Sequence, residues 1–123
     1  MKYEAYSGKA ISARGECLVV GVHEQQKLGA QARLIDRALG GRLLALLKRG
    51  DFSGRACETL LVSETAGLAG KRLLLVGLGA AKQYQRGTWK RALAAAVSAL
   101  LRTRISSAII ALDHPGAGDF DDY

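Results

Sequence analysis

Proline, cysteine, histidine and aromatic residues are scarce in this chain of 123 residues, which has one proline, two cysteines, two histidines and 6% aromatics. Cys17 and Cys57 lie far apart and form no CxxC pair, so the sequence predicts two incidental, reduced thiols instead of a disulfide scaffold. The segment 1–4 lacks the apolar stretch of a signal peptide, and no apolar run reaches the roughly 18 residues of a membrane span. We therefore expect a cytoplasmic protein without a membrane partner.

The composition predicts one globular domain. Apolar residues make up 49% and charged residues 24% of the sequence, which is ordinary for a folded domain of this length. The charge is uneven, because all 18 Lys and Arg and seven of the acids lie in residues 1–112, which therefore carry +11, whereas residues 113–123 contain four acids. A segment with this positive charge attracts polyanions at modest ionic strength.

Four short apolar runs predict strands that are buried on both faces, and a weaker, half-exposed strand is predicted around Tyr3 and Ala5. Between them, Leu28, Ala32, Ile35 and Leu39 recur at helical spacing. Gly40 and Gly41 separate this helix from a second one, which contains Leu43 to Leu47 and ends at Gly50. The four runs are 17–22, 59–62, 72–76 and 107–112.

A third helix is predicted from Thr88, as its N-cap, to about Arg104. Its expected inner face consists of Trp89, Leu93, Ala96, Val97 and Leu100. The resulting order β-β-α-α-β-β-α-β favours an α/β protein, a three-layer α/β/α sandwich with a mixed sheet. Residues 113–119 have the composition of a linker, so the domain is expected to end at 112.

The loop 77–82 is a candidate phosphate-binding loop, because glycines bring backbone N–H groups close to an anion and Lys82 could add charge. The full GxGxxG pattern is missing, since Lys82 stands where the third glycine is expected and Tyr84 and Gln85 follow where the helix should begin. We interpret the loop as a tight turn and predict no cofactor.

Catalytic and metal-binding patterns are also missing from the sequence. His23 and His114 belong to no triad or nucleophile-elbow motif and are interpreted as solvated loop residues. No HExxH and no other cluster with ligand spacing is present. We therefore predict no catalytic, cofactor-binding or metal-binding residue in this chain.

Basic side chains form the remaining candidate site. Charge runs of this kind usually form a solvated, solubilising face, and the functional alternative is a nucleic-acid site that contacts phosphates. Four of these side chains are expected around the loop and first turn of the third helix, and two at its far end. Tyr84 is the one interleaved aromatic residue, which gives little support to base stacking. The six residues are Lys82, Arg86, Lys90, Arg91, Arg102 and Arg104.

Three segments together resemble the N-terminal domain of the leucyl aminopeptidase (cytosol aminopeptidase) family. They are LLKRGDFSG at 46–54, ETLLV at 58–62 and KRLLLVGLG at 71–79. The order and spacing of the other predicted elements fit as well, so the resemblance extends over about residues 1–115.

The resemblance implies a macro-domain-like fold that precedes a separate, larger catalytic domain. Residues 1–112 would be an accessory domain and 113–123 the start of the interdomain linker. In the family, two divalent metal ions, zinc or manganese, and the residues that cleave N-terminal amino acids, preferably Leu, lie in the C-terminal domain. The family's NTDAEGR signature is absent here, so no catalytic or metal residue is carried over to this chain.

Three functions follow as expectations. The resemblance implies a non-catalytic domain with a role in assembly or regulation, whose partners are its own catalytic domain and the other subunits of a homo-hexamer. Some bacterial members of the family bind DNA, which agrees with the basic body of this chain. Macro-like folds also hold nucleotides such as ADP-ribose, although no acid in loop 77–82 supports recognition of adenine or ribose.

Overall fold

The computed structural model describes residues 2–5, 16–62 and 72–112. It confirms the predicted order of strands and helices, with a single 3-10 turn, Ala81–Gln83, added before the last helix. The elements are β1 Lys2–Ala5, β2 Cys17–His23, α1 Ala30–Ala38, α2 Arg42–Lys48, β3 Thr59–Val62, β4 Arg72–Gly79, α3 Arg86–Leu101 and β5 Ser107–Ala111.

The strands form one five-stranded sheet in the order β1-β5-β2-β4-β3. Four of them are parallel, and β3 alone runs antiparallel, against β4. The sheet is therefore mixed, as predicted. The expectation that 59–62 is a buried strand is wrong, because β3 lies at the sheet edge and is only half-buried.

Alternate residues of the central strands point into two separate cores, as the two-residue period of a strand requires. On one side, Leu18, Val20 and Val22 of β2 pack with Ile35 of α1 and Leu43 of α2. On the other side, Cys17 and Val19 of β2 pack with α3 through the helix residues Ala92, Ala96 and Leu100. The predicted three-layer α/β/α sandwich is thus confirmed.

The junction between α1 and α2 follows the prediction. Gly40 and Gly41 adopt φ values of +67° and +84°, which glycine reaches without steric cost. The Asp36 carboxylate of α1 then accepts a hydrogen bond from the Leu44 backbone N–H at 2.9 Å. This contact fixes the angle at which the second helix leaves the first.

Helix α3 differs from the prediction at both ends. It begins at Arg86 with Gln85 as N-cap, because the extended backbone of Gln85 already places its carbonyl against the Trp89 N–H, at 3.0 Å. It ends at Leu101, where the Thr103 hydroxyl donates to the Leu100 carbonyl at 2.7 Å and closes the last turn. Thr88 therefore lies inside the first turn.

The buried face of α3 is also rotated relative to the prediction. Ala92, Ala96 and Leu100 are buried, whereas Trp89, Leu93 and Val97 are half-buried. Two of these three buried residues are alanines, whose small side chains let the helix lie close to the sheet. In the part of the chain that the structure describes, no helix is both long and apolar enough to cross a membrane.

Candidate functional site

A cleft lies where the parallel strands β2 and β4 end side by side. Glu24 follows β2, Gly79 and Ala80 end β4, and Thr88 and Arg91 of α3 form the opposite wall; the volume is about 420 Å³. An adjoining space of about 250 Å³ shares Glu24 and Ala80. Crevices outside the carboxyl ends of parallel strands are where α/β proteins bind ligands, so this is the candidate functional site.

A buried histidine lies directly before Glu24 of this cleft. His23, the last residue of β2, is 7% exposed, and its Nδ1 lies 3.1 Å from the Gly79 carbonyl oxygen. Because a carbonyl only accepts, Nδ1 carries the hydrogen. The interpretation of His23 as a solvated loop residue is therefore wrong: the bulge at the end of β2 turns its ring inward, edge-on to Tyr84 at 4.9 Å between centroids.

The segment 53–58 forms a second wall, and its conformation is held by one carboxylate. Oε1 of Glu58 accepts hydrogen bonds from the backbone N–H groups of Ser53, Gly54 and Arg55 at 3.1 to 3.3 Å and from the Ser53 hydroxyl at 2.6 Å. Desolvation opposes the charge, but these bonds prevail and hold the pKa of Glu58 below its ordinary value. The converging N–H groups are thus already satisfied by the chain itself.

Backbone strain is concentrated around the cleft. Among the described residues other than glycine, positive φ values occur at Gln25 (62°), Gln26 (59°) and Cys57 (68°). Gln25 lines the adjoining space, and Cys57 follows Ala56 of the main cleft. Conformations of this kind cost about 1–3 kcal/mol each and persist where the surroundings impose them, which is often at binding sites.

The charged groups of the cleft are not paired with one another. The Arg49–Asp51 contact, at 3.6 Å between exposed side chains, is the one ion pair within 16–62 and 72–112. Glu24 and Arg91 therefore present separate charges to one cavity. The Arg91 guanidinium reaches back along the helix, since its Nη1 is 3.5 Å from where a Cβ of Gly87 would lie.

The six basic residues predicted for nucleic acid are all exposed. Lys82 lies in the 3-10 turn, Arg86, Lys90 and Arg91 in the first two turns of α3, and the remaining two beyond its other end. The sequence predicts a helix that extends to about Arg104. In the structure Arg102 is instead the C-cap and Arg104 follows the helix. The structure thus places four cations at one end of α3 and two at the other.

Sequence patterns do not identify Glu24 or Thr88 as site residues. Glu24 belongs to no motif, and its position in the cleft follows only from the parallel pairing of β2 with β4. Thr88 is misassigned as an N-cap, which hides its place on the wall. The expected loop 77–82 begins later in the structure, because residues 77–79 belong to β4, and the acid that it lacks is supplied by Glu24, which follows β2.

Groups with catalytic chemistry are dispersed. Within the described residues, no three His, Cys, Asp or Glu side chains come together to hold a metal ion. Burial raises the pKa of the Cys17 thiol to about 11, whereas Cys57 is exposed. His114 and the segment 113–123 lie outside the described residues.

The sequence is similar to one family over most of its length. A family model described as "Cytosol aminopeptidase family, N-terminal domain" matches residues 19–122. Relatives named "Probable cytosol aminopeptidase" from Halorhodospira halophila and Ralstonia pickettii are 38% and 37% identical over 112 residues. Each alignment covers 91% of this chain but 22% of the relative, so the chain spans about a fifth of the length of these proteins.

Solved structures show the same fold. A tomato leucine aminopeptidase mutant matches with a TM-score of 0.66 at 22% identity, over 91% of this chain and 23% of that one. The macrodomain of Mycobacterium tuberculosis DarG matches with a TM-score of 0.70 at 20% identity, over 97% of this chain and 81% of that one. The predicted macro-domain-like architecture is confirmed.

Proposed function

The chain belongs to the cytosol aminopeptidase family, as an N-terminal domain of that family, and from this premise we propose that it is the non-catalytic accessory part of a longer, metal-dependent leucyl aminopeptidase. The proposal depends on how much of each protein the alignments cover, since they include 91% of this chain but only 22% of each relative. In this proposal the remaining length supplies the peptidase chemistry.

The residues that the structure describes do not suit a two-metal centre. Such a centre needs several carboxylate, imidazole or thiolate ligands around ions about 3.5–4 Å apart, and residues 16–62 and 72–112 bring no three of these groups together. We therefore assign the two divalent ions, zinc or manganese, and the removal of N-terminal amino acids, preferably Leu, to the catalytic domain.

The role left to this domain is assembly or regulation. We propose that residues 1–112 form the accessory domain, that 113–123 begin the linker to the catalytic domain, and that the parent is a cytoplasmic homo-hexamer. The family match supports this role. The cleft also supports it, because a cavity with charged walls in a domain without catalysis is suited to binding a regulatory ligand.

Two experiments test the proposal. The purified 123-residue chain should not hydrolyse leucine p-nitroanilide in the presence of Mn²⁺, whereas the full-length protein should, and turnover by the chain that a chelator abolishes would refute the non-catalytic role. Removal of residues 1–112 from the full-length protein should change its particle mass or its kinetic response. If both stayed as they were, the role in assembly or regulation would be wrong.

A second candidate function, DNA binding, is favoured by the outward face of α3. Lys90, Ala94, Ser98 and Arg102 follow one another at four-residue spacing, and all are exposed. The 16-residue helix is about 24 Å long, which is about the length of seven base pairs. Small residues in the middle permit close approach, and cations near both ends could contact phosphates.

The salt dependence of duplex binding tests this candidate. Phosphate contacts release counterions, so log affinity should fall linearly with log salt concentration. The double variant Lys90→Ala, Arg102→Ala should reduce the slope by roughly two, and the control Arg33→Ala, Arg37→Ala, on exposed positions of α1, should not. Equal slopes for wild type and the α3 variant would exclude this face.

A further inference from the structure

The cleft at the ends of β2 and β4 has charges of opposite sign on two walls. Glu24 and Arg91 line the same cavity, and no nitrogen–oxygen pair between these described residues lies within 4.0 Å. Each charge is therefore available to a molecule that enters between them. Charge-assisted hydrogen bonds are stronger than neutral ones, so two of them at opposite ends favour a ligand that carries both signs.

The remaining surfaces suit a small organic molecule. Ala56 and Ala80 supply apolar contacts, and Thr88 and Gln85 supply a hydroxyl and an amide. The volume of about 420 Å³ falls within the about 300–1,000 Å³ of small-molecule sites. Thr88 and Arg91 also lie in the first two turns of α3, where the helix dipole favours a carboxylate.

We propose that this cleft binds a small zwitterion, a free α-amino acid or a dipeptide. The ligand's ammonium group contacts the Glu24 carboxylate, and its carboxylate contacts the Arg91 guanidinium and the Thr88 hydroxyl. Ala56 and Ala80 contact its apolar side chain. The orientation is fixed, because the reverse one would place like charges together at both walls.

A phosphate ligand is the main alternative, since Lys27 and Lys82 line the adjoining space. Glu24, however, lines both the main cleft and that space. Its carboxylate would repel a doubly charged phosphate in either one, whereas it attracts an ammonium group. In addition, the converging N–H groups of 53–55, which resemble a phosphate cradle, already bind Glu58.

Free amino acids and short peptides are also the molecules that the proposed parent would release or consume. The regulatory meaning of the site rests on the proposed function, but binding by the 123-residue chain does not. A binding measurement on this chain and a peptidase assay on the full-length protein therefore succeed or fail independently.

Calorimetric or NMR titration with four ligands tests the charge pattern. L-leucine and leucyl-leucine carry both charges, leucinamide lacks the carboxylate, and N-acetylleucine lacks the ammonium group. We expect at least one zwitterion to bind roughly tenfold or more tightly than either blocked compound, because each block removes one charge-assisted contact. Equal affinity for all four, or no saturable binding of either zwitterion at millimolar concentration, would overturn the proposal.

Charge-neutral variants assign each end of the ligand. Glu24→Gln should weaken leucine binding roughly tenfold and leave N-acetylleucine unchanged, and Arg91→Gln should weaken leucine similarly and leave leucinamide unchanged. Both residues are at least partly exposed, so the variants should fold. Asp51→Asn and Arg104→Gln, at exposed positions outside the cleft, are the matched controls and should bind like wild type.

Two further outcomes decide against the zwitterion. If the control variants weaken leucine as much as the cleft variants do, the binding site lies elsewhere. If inorganic phosphate or ADP-ribose saturates the chain more tightly than leucine does, and Arg91→Gln but not Glu24→Gln abolishes that binding, the ligand class is a phosphate.

Discussion

Gly77 of β4 and Arg55 of the preceding loop approach so closely that a Cβ at position 77 would lie 1.8 Å from the Arg55 carbonyl oxygen. The Gly77 carbonyl accepts from the Cys57 N–H at 2.9 Å, and the Gly77 N–H donates to the Glu58 carbonyl at 2.7 Å. These contacts hold the wall of the cleft against the strand that ends in it.

Replacement of Gly77 by Ala should therefore destabilise the protein. The new methyl group would meet backbone, which cannot move aside as a side chain can, so we expect a loss of about 3 kcal/mol in the free energy of unfolding in urea. Gly50→Ala is the control: φ is +84° but nothing lies within 4 Å, and the strain alone should cost about 1–2 kcal/mol. A smaller loss for Gly77→Ala than for the control would contradict the close packing.

A second prediction concerns the distance between α3 and the sheet. Ala96 is fully buried against it, so Ala96→Leu should force the helix outward and cost about 1–3 kcal/mol in unfolding free energy. Ala94→Leu, at an exposed position on the opposite side of the helix, should change stability by no more than about 0.5 kcal/mol. Comparable effects at both positions would contradict the burial of this face of α3 against the sheet.

The Glu58 carboxylate should make stability depend on acid. Its pKa is lowered in the folded chain, so its contribution is complete above the unfolded value of about 4.3 and is lost as the pH falls through the folded value. Glu58→Gln should cost about 1 kcal/mol at pH 7, and the difference from wild type should shrink towards pH 3. Thermal unfolding across this pH range measures it.

Glu16 and Ser53 provide controls for the acid experiment. The Ser106 hydroxyl and N–H donate to Glu16 and lower its pKa as well, so the Glu58→Gln variant should keep part of the acid sensitivity. Ser53→Ala removes one of the four donors and should show a smaller effect than Glu58→Gln. A difference between wild type and Glu58→Gln that stays constant with pH would show that the hydrogen bonds do not depend on the charge.

The two thiols should differ sharply in reactivity. Cys57 is exposed, whereas Cys17 is fully buried and has a pKa raised to about 11, and the thiolate is the reactive form. A disulfide reagent at pH 8 should modify Cys57 quickly and Cys17 only at the rate of unfolding. In Cys57→Ser the fast phase should disappear, and a fast phase that survives there would indicate that Cys17 is accessible.

Periodicity identified most of the fold. Local patterns predict these elements: the apolar runs of β2, β4 and β5 and the helical repeat of Ala32, Ile35 and Leu39. Each pattern corresponds to an element of the structure because burial of its apolar side chains is favourable. The ends of α3 are set by competing local contacts instead, such as the hydroxyl of Thr103 on the Leu100 carbonyl. Sequence spacing does not reveal which of these contacts forms.

The candidate site was less accessible to sequence reasoning, because it is assembled from distant segments. Glu24 and Arg91 line one cavity only after β4 pairs beside β2 and α3 packs on the sheet. His23 follows an apolar run and stands before polar residues, which suggests solvent, yet the bulge at the end of β2 turns it inward. Long-range pairing decides both cases.

The pairing of β1 with β5 has a consequence for biosynthesis. Residues 2–5 leave the ribosome well before the strand that receives them, Ser107–Ala111. At about 5–20 residues per second, the nascent N-terminal strand waits several seconds with its hydrogen-bonding edge uncovered. During that interval it is open to chaperones and to strands of neighbouring nascent chains, so slower translation should increase misassembly.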